Sequence, residues 1–541
     1  MAEQTVAAAV VEALREIGVK YVFGVPSGGW VDYMEALRKV DGIQFVLTTH
    51  EGAAGMMADV CGRIGGVPGA CFGTFGPGAT NLATGVGEAL LDRSPMIAFS
   101  DEMPAPMRGR TTQMGIDHQA LFAPLTKKTT RLAANAVKAT IFDAARVAME
   151  GRPGSVHIGL PVGMSAEKAA PEKISFAPVP HAPAANPDLL DKAAEFFKRA
   201  KKPVIAVGLG AVHAKVQHQI QTLAERHQIP VVLTPMAKGM LAEEHPSYAG
   251  VLFHALSDMV GQTHREADLI IAAGYDPVEF NYESWMPKVP LISFDLETVD
   301  IDRNAYTVAA DAVGDIGASL AALLAIPPSR KDWDLNALAE RREAMFVKLA
   351  PSNIGFGPKA ALQTLREVLP QDGIMTCDVG AHTHLIGQQW RTPAPGLQIM
   401  TNGWSTMGFG IPAAIAAKLM RPERQVCAVV GDGGFLMTAG EIATAVREGL
   451  KIVIVVLTDN DLALIRIKQQ KKDNPIYGTV IRERGTIGGD NIFGAPVYRA
   501  ADAPSLRRAL DKAFAADGPV IVEAMVDSRE YDGVVLKKDK P

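Results

Sequence analysis

Val426-Cys427-Ala428-Val429-Val430-Gly431-Asp432-Gly433-Gly434 is an apolar run that breaks on a glycine-rich turn and leads into a helical segment. The run has the length of a buried strand. Glycines at a strand-to-helix turn let backbone N–H groups come close to a phosphate, and the helix N-terminus favours its negative charge. Taken alone, Gly-Asp-Gly serves as readily for an ordinary tight turn. One strand later, after the apolar run 452–457, comes a second polar cluster, Thr458-Asp459-Asn460-Asp461. Neighbouring strands of a parallel sheet end side by side, so Asp432 and Asp459 can converge on one hard cation. Magnesium, which takes carboxylate and phosphate oxygens in octahedral geometry, suits such a pair.

Moving outward, the same strand–helix alternation recurs. In the first region, 1–165, strand-like runs at 21–25, 43–47, 70–72 and 96–99 alternate with helical stretches and with the turn Pro26-Ser27-Gly28-Gly29. Residues 164–187 are rich in Ala and Pro and lack periodicity, as a linker does. A second region, 188–327, carries runs at 204–207, 230–233, 269–272 and 291–294. The segment Pro327-Pro328-Ser329-Arg330-Lys331-Asp332 and a charged helix then read as another linker. The third region, 357–541, holds runs at 373–377, 426–430, 452–457 and 520–524 and resembles the first in size and pattern. Strands alternating with helices imply parallel sheets covered on both faces, so the expected fold is α/β, with three doubly wound parallel-sheet domains.

The chain of 541 residues has a net charge of −5 with both signs mixed throughout, which gives no footprint for nucleic acid or an anionic membrane. The basic tail from Lys537 to Lys540 is too short to alter that. Glu3, Glu12, Arg15 and Glu16 interrupt the apolar N-terminus, which therefore reads as a helix and not a signal. No apolar run is long enough to span a bilayer. Cys61, Cys71, Cys377 and Cys427 form no C-x-x-C pair, as expected of reduced, buried thiols in a cytoplasmic protein.

The span from Gly431-Asp432-Gly433 through Asp459 resembles the signature of thiamine-diphosphate (ThDP) enzymes. It departs at Thr458-Asp459, where that signature usually ends in Asn-Asn. The resemblance implies ThDP and Mg²⁺ as cofactors, Asp432 and Asp459 as side-chain metal ligands, and Asp461 as a main-chain ligand. It assigns Gly431, Gly433, Gly434 and Leu462 to cofactor binding, with Pro26 from the N-terminal turn. Val379-Gly380-Ala381-His382 becomes a diphosphate-side loop. The segment from Asn402 to Gly410, with Gly403, grips the cofactor's middle, and Met407 holds its rings in a bent conformation. Glu51, in Thr48-Thr49-His50-Glu51-Gly52, matches the glutamate that protonates the aminopyrimidine; an acidic residue there otherwise serves the helix dipole.

The resemblance covers the whole chain and points to the acetolactate synthase, pyruvate oxidase and benzoylformate decarboxylase group. It implies an N-terminal pyrimidine-binding domain, a central domain and a C-terminal diphosphate-binding domain. In that group one active site takes its glutamate and its diphosphate motif from different subunits, so a homodimer is the minimum unit and a homotetramer is common.

For the reaction, Thr74 and Phe75 stand where decarboxylases of the group present histidines, so simple protonation lacks a donor. Gly76-Pro77-Gly78-Ala79-Thr80-Asn81 is closer to acetolactate synthases. Gly274-Tyr275-Asp276-Pro277-Val278-Glu279 resembles their flavin-free members, which speaks against FAD. Gln113 is displaced by one position from the group's usual glutamine, leaving Met114 in its place. Phe75 and Trp404 are bulky, either because the pocket is reshaped or from packing alone. Ser27, Gly28, Thr74, Phe75, Gln113, Met114 and Trp404 form the expected substrate pocket.

The expected activity is decarboxylation of a 2-oxo acid, or use of a related acyl substrate, with ligation of the fragment to a carbonyl acceptor, as in acetolactate synthase. The alternatives are a non-ligating 2-oxo acid decarboxylase, a 2-hydroxyacyl-CoA lyase and a non-catalytic homologue. The last would be marked by loss of Glu51 or Asp432, and both are present. A flavin- or nucleotide-binding oxidoreductase lacks a G-x-G-x-x-G fingerprint here.

Overall fold

The computed structural model describes residues 4–279, 286–483 and 487–535; Glu3 and the Lys537–Lys540 tail lie outside them. The first sheet is built from β1 (Tyr21–Gly24), β2 (Gln44–Leu47), β3 (Gly69–Gly73), β4 (Met96–Glu102), β5 (Lys128–Arg131) and β6 (Ser155–Pro161), all parallel, in the order β2-β1-β3-β4-β6-β5. The central sheet uses β7 (Pro203–Val207), β8 (Val231–Leu233), β9 (Tyr248–Val251), β10 (Leu269–Ala273), β11 (Leu291–Asp295) and β12 (Val308–Val313), ordered β12-β11-β10-β7-β8-β9. Read from the other edge, this is the strand order of dinucleotide-binding sheets.

The third sheet contains β13 (Ile374–Cys377), β14 (Gln398–Met400), β15 (Val426–Gly431), β16 (Ile452–Thr458), β17 (Asn491–Ile492), β18 (Ala495–Ala500) and β19 (Val520–Met525), ordered β14-β13-β15-β16-β19-β18-β17. Apart from the antiparallel edge strand β17, this repeats the order of the first sheet. The three doubly wound α/β units expected from the sequence are therefore present, and two of them are topological twins.

The two faces of the third sheet feed two different hydrophobic clusters, and its strands show how. Successive side chains of a strand point to opposite faces. Met375, Cys427, Val429, Val453 and Val455 join the hydrophobic cluster that includes the central sheet. Their chain neighbours Ile374, Val426, Ala428, Val430, Ile452 and Ile454 join the cluster shared with the first unit. In that shared cluster the helices Glu51–Gly65 and Pro77–Leu91 of the first unit meet Gly410–Met420 of the third. Gly55 faces Gly85 backbone to backbone; a Cβ on Gly55 would stand 2.7 Å from the Gly85 Cα.

The segment after β6 is extended and returns along the first helix, with Val6 N donating to Glu167 O (2.9 Å) and Ala169 N to Gln4 O (2.9 Å). The segment after residue 326 is fastened to the central unit: Trp333 Nε1 donates to Pro203 O and Lys331 Nζ to Phe197 O, both at 2.7 Å. It ends in the helix Leu335–Leu349. The four cysteines are free and buried.

Candidate active site

The glycine turn that follows β15 opens the helix Asp432–Thr438 at the carboxyl end of the third sheet. There a cavity of about 250 Å³ is walled by Val379 to His382, Ser405, Met407, Gly431 to Gly434, Asp459, Asp461 to Ile465 and Tyr531. Asp432 Oδ2 accepts Asn460 N (2.7 Å) and its Oδ1 accepts Gly433 N (2.9 Å), which ties the exits of β15 and β16 together. Asn460 turns the chain through the left-handed region, at φ 62°. Burial, and then the Asp432 charge, push the Asp459 carboxyl up to about 7; burial likewise raises Asp432. Two desolvated carboxylates side by side are unfavourable until a cation neutralises them.

The third predicted ligand fits the same picture. Asp461 pairs its side chain with Arg466 Nε (3.1 Å); among the described residues its buried Oδ1 has no hydrogen-bond partner and no backbone N–H donates to its carbonyl. The acidic end of the cavity passes into an apolar one at Met407, Leu462 and Ile465. Such a pocket has the polarity and size for a group with a diphosphate at one end and a ring at the other. Asp378, which the sequence did not single out, draws the walls together. It accepts Gly408 N (3.0 Å) and pairs with His382 Nε2 (2.8 Å). A Cβ on Gly434 would fall 1.5 Å from Asp378 Oδ2, so this position of the motif admits only glycine.

Glu51 stands elsewhere, at the first position of its helix and 8% exposed. Asn81 Nδ2 donates to its Oε2 (3.0 Å), while Gly78, lacking a side chain, leaves the other oxygen approachable. The turn before it is held from the third unit. Glu441 Oε1 accepts Thr49 N (2.9 Å), Thr49 Oγ1 (2.6 Å) and His50 N (3.1 Å), and Glu441 Oε2 accepts Thr444 Oγ1 (2.7 Å).

On the same unit, Ser27 Oγ (2.5 Å) and Thr74 Oγ1 (3.2 Å) both donate to Asp101, whose carboxyl burial pushes up to about 6. The Met114 carbonyl lies against Gly76, and Met114 itself is in the left-handed region at φ 58°. Gln113, Pro26 and Gly28 are exposed. None of Pro26, Ser27, Gly28, Glu51, Thr74, Phe75, Gln113 or Met114 lines the cavity beside Asp432. Within one chain the predicted residues thus fall into two separate groups.

Gly403 and Trp404 belong to the seam between the units. Asp92 Oδ1 accepts the backbone N–H of Gly403 (2.7 Å) and of Asn402 (3.2 Å), and its Oδ2 accepts Arg63 (2.9 Å). The Trp404 ring rests on Gly87, 2.9 Å from where a Cβ would stand, so its bulk is used in packing. Asn402 Nδ2 donates to the Glu279 carbonyl, and Arg93 pairs with Asp276 at 2.6 Å.

In the central sheet, the crevice between the ends of β7 and β10 is filled by the chain's own carboxylate. Glu279 accepts Leu209 N (2.9 Å), Thr234 Oγ1 (2.9 Å) and Met236 N (3.1 Å), and burial pushes it up to about 7. The backbones of Gly208 and Gly274 touch there: a Cβ on Gly208 would be 2.5 Å from Gly274 O.

Comparison with known proteins matches three family profiles in chain order. They are the thiamine pyrophosphate enzyme N-terminal TPP binding domain over residues 4–121, the central domain over 190–323 and the C-terminal TPP binding domain over 378–524. A probable acetolactate synthase large subunit of Methanocaldococcus jannaschii is 30% identical, the alignment covering 97% of this chain and 92% of the relative. The acetolactate synthase isozyme 1 large subunit of Escherichia coli K12 is also 30% identical (96% and 94%). An acetolactate synthase of Bacillus subtilis is 28% identical (98% and 94%).

Proposed function

The chain belongs to the thiamine pyrophosphate enzyme family, as a ThDP-dependent enzyme similar to acetolactate synthases, and on that basis we propose that it decarboxylates a 2-oxo acid and joins the fragment to a carbonyl acceptor. The convergence of Asp432 and Asp459 at the acidic end of a mostly apolar cavity carries this reading. ThDP, when bound, supplies the electron sink that decarboxylation requires. Asp432, Asp459 and the Asp461 carbonyl would hold Mg²⁺ against its diphosphate, and Met407 would form the apolar wall beneath its rings.

Glu51 would hold a proton at the aminopyrimidine nitrogen, steadied by Asn81 on one oxygen and left open on the other by Gly78. Because Glu51 does not line the cavity of its own chain, it would serve a second copy. This supports a homodimer as the working unit, with a homotetramer as two such pairs. Ser27, Thr74 and Phe75, on the same unit as Glu51, would receive the substrate's variable end. The carboxylate of Glu279 in the central crevice supports a chain without FAD, since it uses the backbone donors a dinucleotide would need. Among the described residues no helix is long and apolar enough to cross a membrane.

The test is pyruvate turnover by purified protein with ThDP and Mg²⁺, following CO₂, acetolactate and acetaldehyde, beside Glu51→Gln. Acetolactate that disappears in the variant is the expected result. Acetaldehyde alone would replace ligation with simple decarboxylation.

A further inference from the structure

Under the 74–76 turn runs a line of polar groups that nothing above uses, half-buried at Gln119 and Thr129 and buried at His157, Ser100 and His118. Gln119 begins it. Its amide nitrogen lies between the Glu102 carboxylate and the Thr130 carbonyl (3.0 Å), which can only accept, so its amide oxygen is the atom that faces Thr129. Thr129 Oγ1 therefore gives its one proton to Gln119 Oε1 (2.9 Å), and His157 Nδ1, 2.8 Å from the same hydroxyl, must donate.

His157 is fully buried and held neutral, its proton affinity lowered first by burial and then by His118 and Arg131. Its Nε2 is therefore bare and takes the proton of Ser100 (2.8 Å). The Ser100 oxygen then requires a proton from His118 Nδ1 (2.8 Å). Burial also lowers His118, outweighing Glu102 and Asp117, which favour its protonation, while Arg131 opposes it. The bare His118 Nε2 is left to accept the backbone N–H of Gly76 at 3.3 Å. Every proton in the line has one allowed direction. One extra proton on either ring would reverse it and set N–H against N–H at Gly76.

Gly76 is where such support matters. It sits at φ 45°, ψ −98°, and a Cβ there would be 2.9 Å from the Met114 carbonyl. Ser100 and Asp101 are adjacent on β4 and point to opposite faces. Asp101 grips Thr74 from one side while the Ser100–His118 line grips Gly76 from the other. Phe75 is the residue between the two grips.

We propose that His118, backed by Ser100 and His157, is a positioning residue that fixes where Phe75 stands and thereby how large a 2-oxo acid side chain the site admits. This rests on the reading of the 74–76 turn as the substrate end.

The experiment uses the full-length holoenzyme with His118→Phe and His118→Gln. Glutamine can present an oxygen to Gly76 and an N–H to Ser100, and phenylalanine can do neither. Hydrogen exchange of the peptide containing Gly76 is measured with KM and kcat for pyruvate and for 2-oxobutanoate. In His118→Phe the Gly76 amide should exchange about tenfold faster, on the scale of one lost hydrogen bond. The ratio of the two KM values should shift about threefold or more, with kcat moving less, and His118→Gln should recover both. Ser100→Ala, a smaller change, breaks the line one step back and gives the same readings should the Phe variant fail to fold. Unchanged exchange at Gly76 overturns the positioning role, and faster exchange with an unaltered KM ratio overturns the link to substrate size. If wild type turns over neither acid, the substrate reading fails and size selection falls with it, while the exchange result still decides the His118–Gly76 bond.

Discussion

Glu441 offers a graded test of how the first and third units cooperate. Its carboxylate takes three donors from the turn before Glu51 on one oxygen and Thr444 on the other. In Glu441→Gln an oxygen can still face Thr49 and His50, and the Thr444 hydroxyl can turn to accept from the amide. Only charge assistance is lost, about 1 kcal/mol. In Glu441→Ala all four bonds go. Bonds to a charged group contribute about 1.5–3 kcal/mol each, but Thr49 and His50 are exposed in the single chain and water can replace part of their loss. The expected cost is therefore about 3 kcal/mol.

Part of that cost must appear at Glu51, because the freed turn is the one that aims it. ThDP affinity, measured by titration calorimetry with Mg²⁺ present, should weaken about tenfold or more in the alanine variant and about threefold or less in the glutamine variant. Denaturation midpoints should fall in the same order. If alanine binds ThDP like wild type, or if glutamine does as much damage as alanine, the turn is not held by Glu441 in the way the geometry indicates.

Glu51→Gln and Asp432→Asn should each be inactive alone, yet mixing the refolded or co-expressed variants should restore about a quarter of wild-type activity if each site draws on two copies; no recovery would place both residues in one chain's site. Gly55→Ala gains about 1 kcal/mol of helix propensity but drives a methyl into the Gly85 backbone, which cannot rotate away, at about 1–3 kcal/mol, so a lower melting temperature is expected and an unchanged one would show that the helices separate freely. Glu279 is raised to about 7 from an ordinary value near 4.5, so the folded chain keeps a proton that the unfolded chain releases, and stability falls as pH rises through that window by roughly 3 kcal/mol. Glu279→Gln should flatten the difference in urea midpoint between pH 5 and pH 8, and an identical pH slope in both proteins would refute this.

The α/β class was legible because the central strands of a parallel sheet are continuous apolar runs. The runs at 204–207, 426–430 and 452–457 each became a strand. The edge strand β2 also showed, as the run at 43–47, but the other edges left no such trace. β5 is Lys128-Thr129-Thr130-Arg131, polar because one side of an edge need not be buried, and β14 is only Gln398–Met400. In the candidate site, the residues that cluster around Asp432 are those contiguous with a recognisable turn. Asp378, Asp92, Glu441, Asp101 and His118 escaped notice because the meaning of each depends on a partner elsewhere in the chain. Glu441 and Thr49, for example, are 392 residues apart in the chain. Trp404 is a conspicuous side chain whose neighbour could not be read beside its motif: its ring meets Gly87, more than 300 residues earlier in the chain, while 38% of the residue stays exposed.

The alternation along β13, β15 and β16, which splits the third sheet between two hydrophobic clusters, also constrains how the molecule can come apart. The sheet's own helices, Gly410–Met420 on one face and Ala503–Phe514 on the other, keep it covered when either neighbouring unit is released. Loosening of the third unit instead exposes apolar surface shared with both neighbours at once. Partly unfolded forms should therefore be those that have shed an outer unit, and a protease acting on them would leave the third sheet as the last resistant fragment. The Asp432 cradle would survive in that remnant after Glu51 had been lost.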